Sequence, residues 1–253
     1  MPDEFTVFLE FSPSLDFFLR KGSEGTTTRK QLSHATSVKD LVESCGVPHT
    51  EVGNIQINGT VVDFGYRMSP GDRVVVHEVD SASSDGSGLQ PPPVDNPVFI
   101  ADEHLSKLVR RMRVLGLDAL LFSGGDDSRL LELMQRGKRT LLTRDRKLLM
   151  HNIVLSGYYV RSVDVFEQTC EVVKRYRLAE KIRPFTRCPS CNGKLEKADK
   201  ASLLDRLEPK TRRYFQRFLV CSCCGKIFWR GSHTEKLEGF VEAVMQRCGY
   251  SEL

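Results

Sequence analysis

The chain has 253 residues, a formal net charge of +4, 40% hydrophobic residues and 28% charged residues, which is an ordinary soluble composition with room for one to three domains. The apolar runs are too short to span a membrane, and the acidic start "MPDEFTVFLEF" lacks the basic residues of a signal peptide. We therefore expect a cytoplasmic protein whose eight cysteines bind metal or stay free rather than form disulfides.

Charge is distributed unevenly along the chain. Residues 1–80 carry 7 Lys+Arg against 12 Asp+Glu, and residues 81–253 carry 30 against 21, so the two parts have net charges of −5 and +9. The basic part favours an acidic partner such as nucleic acid, although a generic basic surface that maintains solubility explains the charge about equally well.

The acidic part, residues 1–80, is predicted to be a β-grasp domain. "EFTVFLEF" alternates like a strand, "VKDLVESCGV" fits a short helix, "NIQINGTVV" fits a hairpin with Asn58 and Gly59 at its turn, and "SPGDRVVVHEV" ends in a strand. The stretch from Val52 to Val79 resembles the ubiquitin-like fold of small sulfur-carrier proteins. Those carriers end in a reactive Gly-Gly that is absent here, so we expect a binding or regulatory module to which another protein docks.

Residues 81–97, "SASSDGSGLQPPPVDNP", are predicted to be a linker because they are small, polar and rich in proline. A linker of this kind lets the parts on either side fold separately. We therefore expect residues 1–90 to be a tethered module that catalysis does not need.

Residues 98–183 are predicted to form an α/β domain with a mostly parallel sheet. The strands "PVFIAD", "LDALLF", "RTLLTRD" and "GYYVRSVD" alternate with three amphipathic helices. Acids follow every strand: Asp102, then Asp126 with Asp127, then Asp145, then Asp164. Because parallel strands end at one edge of the sheet, we expect these acids to converge there and hold Mg²⁺ or Mn²⁺. The alternative is a series of helix N-caps, which would place Asp at the same points.

Three stretches, "FIADEHLSKLVRRMRVLGLDALLF", "DDSRLLELMQRGKRTLLTRDRKLL" and "YYVRS", resemble the Mut-seven C-terminal family of PIN-like ribonucleases. Members of that family often have a ubiquitin-like N-terminal domain and a zinc ribbon, so the resemblance covers nearly the whole chain. It implies a hydrolase that cleaves RNA phosphodiester bonds with divalent metal. The metal ligands would be Asp102, Asp127 and Asp145, with Asp164 or Asp126 as the fourth acid.

Metal held by these acids would activate a water molecule and neutralise the charge that develops on the scissile phosphate, without a covalent nucleophile. Six basic residues near the acids are candidates for RNA phosphate contacts. They are Arg144, Arg146 and Lys147 beside Asp145, and Lys107, Arg110 and Arg113 on the first helix of the α/β domain. The alternatives are an RNA-binding protein whose acids no longer cleave, and an adaptor whose β-grasp domain docks a protein and brings RNA to it.

Residues 184–253 are predicted to be a zinc ribbon. "RCPSCNG" supplies Cys188 and Cys191, and "VCSCCGKIFW" supplies Cys221 and Cys224, two C-x-x-C pairs that suit one tetrahedral zinc. Cys223 competes for the site but does not give that spacing. Four protein ligands leave no open position on the ion, so this zinc would be structural. The 29 residues between the pairs exceed the usual ribbon spacing and predict a helical insertion around "KASLLDRLEPKTRRYFQRF".

Overall fold

The structure, a computed structural model, describes residues 4–19, 25, 27–79, 88–92 and 94–249. It has two compact units, each built from two stretches of chain: Met1–Asp95 with Asp126–Tyr159, and Asn96–Gly125 with Val160–Leu253. Among the described helices, none combines the length and apolarity that crossing a membrane would require. Residues 81–87 and 93 of the predicted linker lie outside the described residues.

The N-terminal stretch of the first unit is a β-grasp fold, as predicted. Its strands are β1 Phe5–Phe11, β2 Thr28–Leu32, β3 Val52–Ile57, β4 Thr60–Val62 and β5 Arg73–Glu78. They form one sheet in the order β2-β1-β5-β3-β4, in which β1 and β5 are parallel and the other neighbours antiparallel. Helix α1, Val38–Ser44, begins after Ser37, whose hydroxyl accepts a hydrogen bond from the Asp40 backbone N–H.

Local sequence signals account for most of this fold. Alternation buries Val7 and Leu9 of β1 completely, and Ile55 of β3 is also completely buried. Asn58 (φ 52°) and Gly59 (φ 83°) adopt the left-handed conformation that the primed turn between β3 and β4 requires. Strand β2 is not predicted from "TRKQL", because its residues before Leu32 are all polar and give no apolar alternation.

The α/β part alternates strands and helices, and its parallel pairing is confirmed. Its elements are β6 Phe99–Ala101, α2 Ser106–Val114, β7 Ala119–Leu121, α3 Asp127–Arg136, β8 Thr140–Thr143, α4 Arg146–Leu149, β9 Gly157–Tyr159 and α5 Val165–Arg175. In the second unit β6 pairs with β7 in parallel, and in the first unit β8 pairs with β9 in parallel. The short strands are strongly buried, as expected when both faces of a sheet are covered.

The β-grasp fold packs directly on β9 and the loop before it, inside the first unit. The backbone N–H of Tyr159 donates to Glu51 Oε1 at 2.7 Å, and His49 Nε2 donates to the Val154 carbonyl oxygen at 2.8 Å. His49, Thr50 and Glu51 are buried, with 7%, 0% and 3% of their surface exposed. The expectation that residues 1–90 are only a tethered module is therefore wrong, because polar groups of this module are buried in contact with the α/β part.

The C-terminal stretch of the second unit contains a three-stranded antiparallel sheet. Its elements are β10 Leu195–Ala198, α6 Pro209–Tyr214, β11 Phe218–Cys221, β12 Ile227–Trp229 and α7 Ser232–Arg247, and the strand order is β10-β11-β12. A 3-10 helix, Lys200–Arg206, precedes α6, so the predicted helical insertion is confirmed. Leu203 and Leu207 of the insertion pack with Phe218 on one face of the sheet.

Candidate functional site

Four cysteines form a compact cluster at one end of the antiparallel sheet. The sulfur atoms of Cys188, Cys191, Cys221 and Cys224 all lie within 4.8 Å of one another. Cys188 Sγ is 3.7 Å from Cys224 Sγ, and Cys191 Sγ is 3.3 Å from Cys221 Sγ. The structure thus brings together the two predicted pairs, and Cys223, which is exposed, does not belong to the group.

Tight turns position the sulfur atoms. The Cys188 N–H donates to the Gly193 carbonyl at 2.8 Å, and the Gly225 N–H donates to the Cys221 carbonyl at 3.0 Å. Gly225 has a φ of +70°, which favours glycine. A Cβ at Gly193 would lie 2.8 Å from Cys221 Sγ, so a larger residue there would push into the cluster. The glycine after each C-x-x-C pair is therefore needed for the geometry.

The donor set fits a tetrahedral metal ion. A zinc–sulfur distance of about 2.3 Å places the sulfurs of such a site roughly 3.8 Å apart, close to the observed separations. The backbone N–H of Gly193 is the main reason that the pKa of Cys191 is lowered to about 6, whereas burial raises the pKa of Cys188. Crowded thiols do not all ionise without a compensating cation, so these residues could hold a metal such as zinc.

Arg113 connects this cluster to the α/β part of the same unit. Its guanidinium donates from Nε to the Ala119 carbonyl at 2.8 Å, and from Nη1 to the Pro189 and Ser190 carbonyls at 3.1 and 2.9 Å. Only 4% of Arg113 is exposed, and burial is the main cause of its lowered pKa. The prediction that Arg113 contacts RNA does not fit this position. Helical spacing could have indicated burial, because Arg113 follows the core residue Val109 by four positions.

Four of the predicted acids are N-caps. Each carboxylate accepts backbone N–H groups two or three residues further on: Asp102 from His104, Asp126 from Ser128, Asp145 from Lys147 and Leu148, and Asp164 from Phe166 and Glu167. Asp127 is the first residue of α3 and is exposed. The capping alternative is thus confirmed, and it does not exclude metal binding, since a carboxylate has two oxygen atoms.

The acids are divided between the two units. Asp126, Asp127 and Asp145 belong to the first unit, and Asp102 and Asp164 to the second. Among the described residues, the three acids of the first unit do not form a group that could share an ion, unlike the cysteines. A metal site made of the predicted acids therefore stays a prediction.

Arg146, next to Asp145, is held by the β-grasp fold. Its Nη1 donates to the Phe18 carbonyl at 2.7 Å and its Nη2 to the Phe17 carbonyl at 3.1 Å. The guanidinium carbon also lies 5.1 Å from the centre of the Phe18 ring and 5.8 Å from that of Tyr159. The predicted phosphate contact by Arg146 does not fit this arrangement, because the guanidinium is already bound to carbonyl oxygens and aromatic rings.

The other predicted basic residues remain candidates for RNA contact. Lys107 and Arg110 on α2 and Lys147 on α4 are exposed, and Arg144 is half-buried.

The folds and the cysteine cluster define a multidomain protein with a ubiquitin-like module, an α/β part with a parallel sheet, and four cysteines that could hold a metal ion. A family model described as the Mut7-C RNAse domain matches residues 97–241, and one described as Mut7-C ubiquitin matches residues 4–84. The chain belongs to the Mut7-C family, as its sequence predicted. No curated protein and no solved structure matches the chain significantly.

Proposed function

We propose that the protein is a metal-dependent ribonuclease in which Asp102, Asp127 and Asp145 hold Mg²⁺ or Mn²⁺. The observation that carries the proposal is the match of residues 97–241 to an RNase domain. The order of the chain supports it, since an acid follows each of the parallel strands β6, β7 and β8. Asp126 and Asp164 are the candidates for a fourth ligand.

Strand register supports the placement of the acids. Ala101 of β6 is opposite Leu121 of β7, so Asp102 and the turn that leads to Asp127 leave their strands at the same edge. Thr143 of β8 is opposite Tyr159 of β9 in the same way, and Asp145 follows two residues after Thr143. Ligands of open parallel sheets bind at this carboxyl edge.

Capping gives Asp145 a fixed orientation. Its Oδ1 accepts the N–H groups of Lys147 and Leu148 at 2.7 and 3.3 Å, which keeps the carboxylate from rotating, and the proposal assigns Oδ2 to the ion. When bound, the ion would supply a more acidic water molecule and positive charge beside the scissile phosphate. Lys147 is exposed next to Asp145 and would attract the neighbouring phosphates.

We also propose that the four cysteines hold zinc and that this zinc is structural. Four thiolates complete a tetrahedral site, so no position is left for a reacting water. Thiolate ligands disfavour Mg²⁺ and Mn²⁺, which prefer oxygen, so the two metals would be separated by ligand chemistry.

A cleavage assay with end-labelled single-stranded RNA tests the proposed nuclease. The full chain should cut the RNA when Mg²⁺ or Mn²⁺ is added and should not cut it without divalent metal. The second candidate is an RNA-binding protein whose acids only cap helices, and the four observed caps favour it. Binding of RNA without cleavage in either metal would reject the nuclease and support this second candidate.

A further inference from the structure

A cavity of about 630 Å³ opens in the second unit, and none of the proposed metal-binding acids lines it. It lies between one face of the antiparallel sheet, the segment 185–189 and the first turns of α7, and we call it the ribbon groove. Its volume is within the range of ligand pockets, about 300–1,000 Å³. The proposed reaction does not use the groove, so its occupant has to be inferred from its walls.

The sheet face explains which side chains enter the ribbon groove. Lys197 is opposite Leu219, and Leu219 is opposite Phe228, so these three residues share one face. All three line the groove. The opposite face carries Phe218, which packs on the helical insertion. The insertion therefore covers one face of the sheet, and the groove lies on the other.

Aromatic rings line the wall of the ribbon groove. Phe185 and Phe228 are half-buried, and Phe228 lies on the groove face of the sheet. Trp229, the next residue of β12, is opposite Phe218 and its ring centre lies 6.1 Å from that of Phe215, so its indole belongs to the face that the insertion covers. Exposed or half-exposed aromatic rings beside cations are the feature by which proteins stack the bases of single-stranded nucleic acids.

The charged residues of the ribbon groove are mostly basic. The lining includes one carboxylate, Glu238, and four cations, which are Arg187, Lys197, Arg217 and Arg230. Arg230 pairs with Glu238 at 3.0 Å, and Arg187 pairs with an aspartate outside the groove. Lys197 and Arg217 are exposed and have no hydrogen-bond or ion-pair partner among the described residues. Lys197 and Arg217 are thus available to bind a polyanion. An apolar partner without acidic groups would leave their positive charges unpaired.

We propose that the ribbon groove binds a single-stranded segment of RNA, with bases stacked on Phe185 and Phe228 and phosphates bound by Lys197 and Arg217. The choice of RNA rests on the proposed function, and the stacking wall and unpaired cations supply the rest. The groove would hold RNA independently of the acids, because no acid of the proposed metal site lines it.

Phe228→Ala tests the stacking contact, because the Phe228 ring is half-buried on the groove face. The full protein is titrated against a fluorescein-labelled uridine 12-mer, without Mg²⁺, Mn²⁺ or chelator, and binding is followed by anisotropy. The substitution should weaken 12-mer binding about 5-fold or more. Inorganic polyphosphate carries the same kind of charge without bases and should compete only weakly with the 12-mer. Equal competition by unlabelled 12-mer and by polyphosphate or poly-glutamate would overturn the assignment to RNA.

Paired variants test the contacts. Lys197→Ala with Arg217→Ala should weaken 12-mer binding roughly 10-fold and lower the slope of log affinity against log salt by about 1.4, the value for two phosphate contacts on a single strand. Lys210→Ala with Arg213→Ala removes the same charge from exposed positions of α6 outside the groove and should change the affinity much less. All of these residues are exposed, and zinc content with circular dichroism checks the fold.

The possible failures can be told apart. Equal affinity of the groove variant and the α6 variant, in a protein that binds and cleaves RNA, would overturn the groove proposal alone. A wild-type protein that neither binds nor cleaves RNA would overturn the groove and the ribonuclease together.

Discussion

The backbone N–H of Tyr159 donates a 2.7 Å hydrogen bond to the carboxylate of Glu51, which is 3% exposed. Glu51 belongs to the β-grasp fold, and Tyr159 ends a strand of the parallel α/β part. A buried carboxylate is tolerated only with strong hydrogen-bond partners, so this contact ties the two folds together. The ubiquitin-like module is therefore part of the framework that carries Asp145.

Glu51→Ala should lower the free energy of unfolding by about 1–3 kcal/mol, because the buried N–H of Tyr159 loses its acceptor. Urea unfolding followed by circular dichroism measures the change. Glu10→Ala, at an exposed position of the same fold, is the matched control and should change stability by less than about 0.5 kcal/mol. Equal effects of the two substitutions would show that the contact is not stabilising.

A truncated chain that begins at Pro91 should be less stable and less soluble than the full chain. Removing the β-grasp fold exposes Val154, which is 0% exposed in the intact protein, and Tyr159, which is 9% exposed. Thermal unfolding and size-exclusion chromatography measure the effect. Adding residues 1–90 as a separate polypeptide should restore part of the stability, whereas a truncated chain as stable as the full one would contradict the packing described for the first unit.

Arg146→Ala should lower stability and Lys147→Ala should lower RNA affinity, although the two residues are adjacent. Arg146 is bonded to the Phe17 and Phe18 carbonyls, so its loss should cost about 2 kcal/mol of stability with little change in RNA affinity. Lys147 is exposed, so its loss should weaken RNA binding without changing stability. Unfolding curves and RNA titrations of both variants measure stability and affinity. A loss of RNA affinity in Arg146→Ala but not in Lys147→Ala would show that Arg146, rather than Lys147, binds RNA.

Asp145→Asn should abolish metal-dependent cleavage and leave both RNA affinity and stability nearly unchanged. Asparagine is as good an N-cap as aspartate, so the substitution removes the charge that the metal needs and keeps the cap. Asp145→Ala should also lose about 1 kcal/mol of stability with the cap. Asp205→Asn, on the exposed insertion, is the control for the cleavage assay. Full cleavage by Asp145→Asn in Mg²⁺ would reject the proposed site.

Cys188→Ser should release zinc and destabilise the C-terminal sheet, since thiolate ligation supplies folding free energy on the order of 10 kcal/mol in zinc-finger peptides. Cys223→Ser should keep the zinc, because Cys223 lies outside the cluster of four. Elemental analysis of both purified proteins gives the answer. Wild-type protein without zinc, or equal zinc loss in both variants, would argue against this ligand set.

Sequence could predict the features that depend on neighbouring residues. The primed turn follows from Asn58 and Gly59, and the turns that bring the four sulfur atoms together follow from two C-x-x-C pairs with their glycines. The caps at Asp102 and Asp145 follow from acids between a strand and a helix. Each of these signals acts within a few residues of chain, so it is visible without knowing the rest of the fold.

The features that sequence could not predict depend on distant residues. Arg146 has the charge of a solvent-exposed phosphate ligand, yet it is bound by backbone carbonyls that lie 128 and 129 residues earlier in the chain. The composition of residues 81–97 predicted that the two parts fold separately. The sequence around Glu51 does not indicate that its carboxylate binds a backbone N–H 108 residues further along the chain. The pairing of buried polar groups that are distant in sequence is determined by tertiary packing.

During synthesis, His49 and Glu51 leave the ribosome before the residues that they contact in the folded protein. Their partners, Val154 and Tyr159, lie 105 and 108 residues later in the chain. At about 5–20 residues per second, a ribosome needs roughly 5–20 s to make that stretch. A domain of this size folds faster than that, so the β-grasp fold forms first and presents an uncovered docking surface to the cell. Chaperone binding at that surface would be confined to the growing chain and would end when β9 emerges.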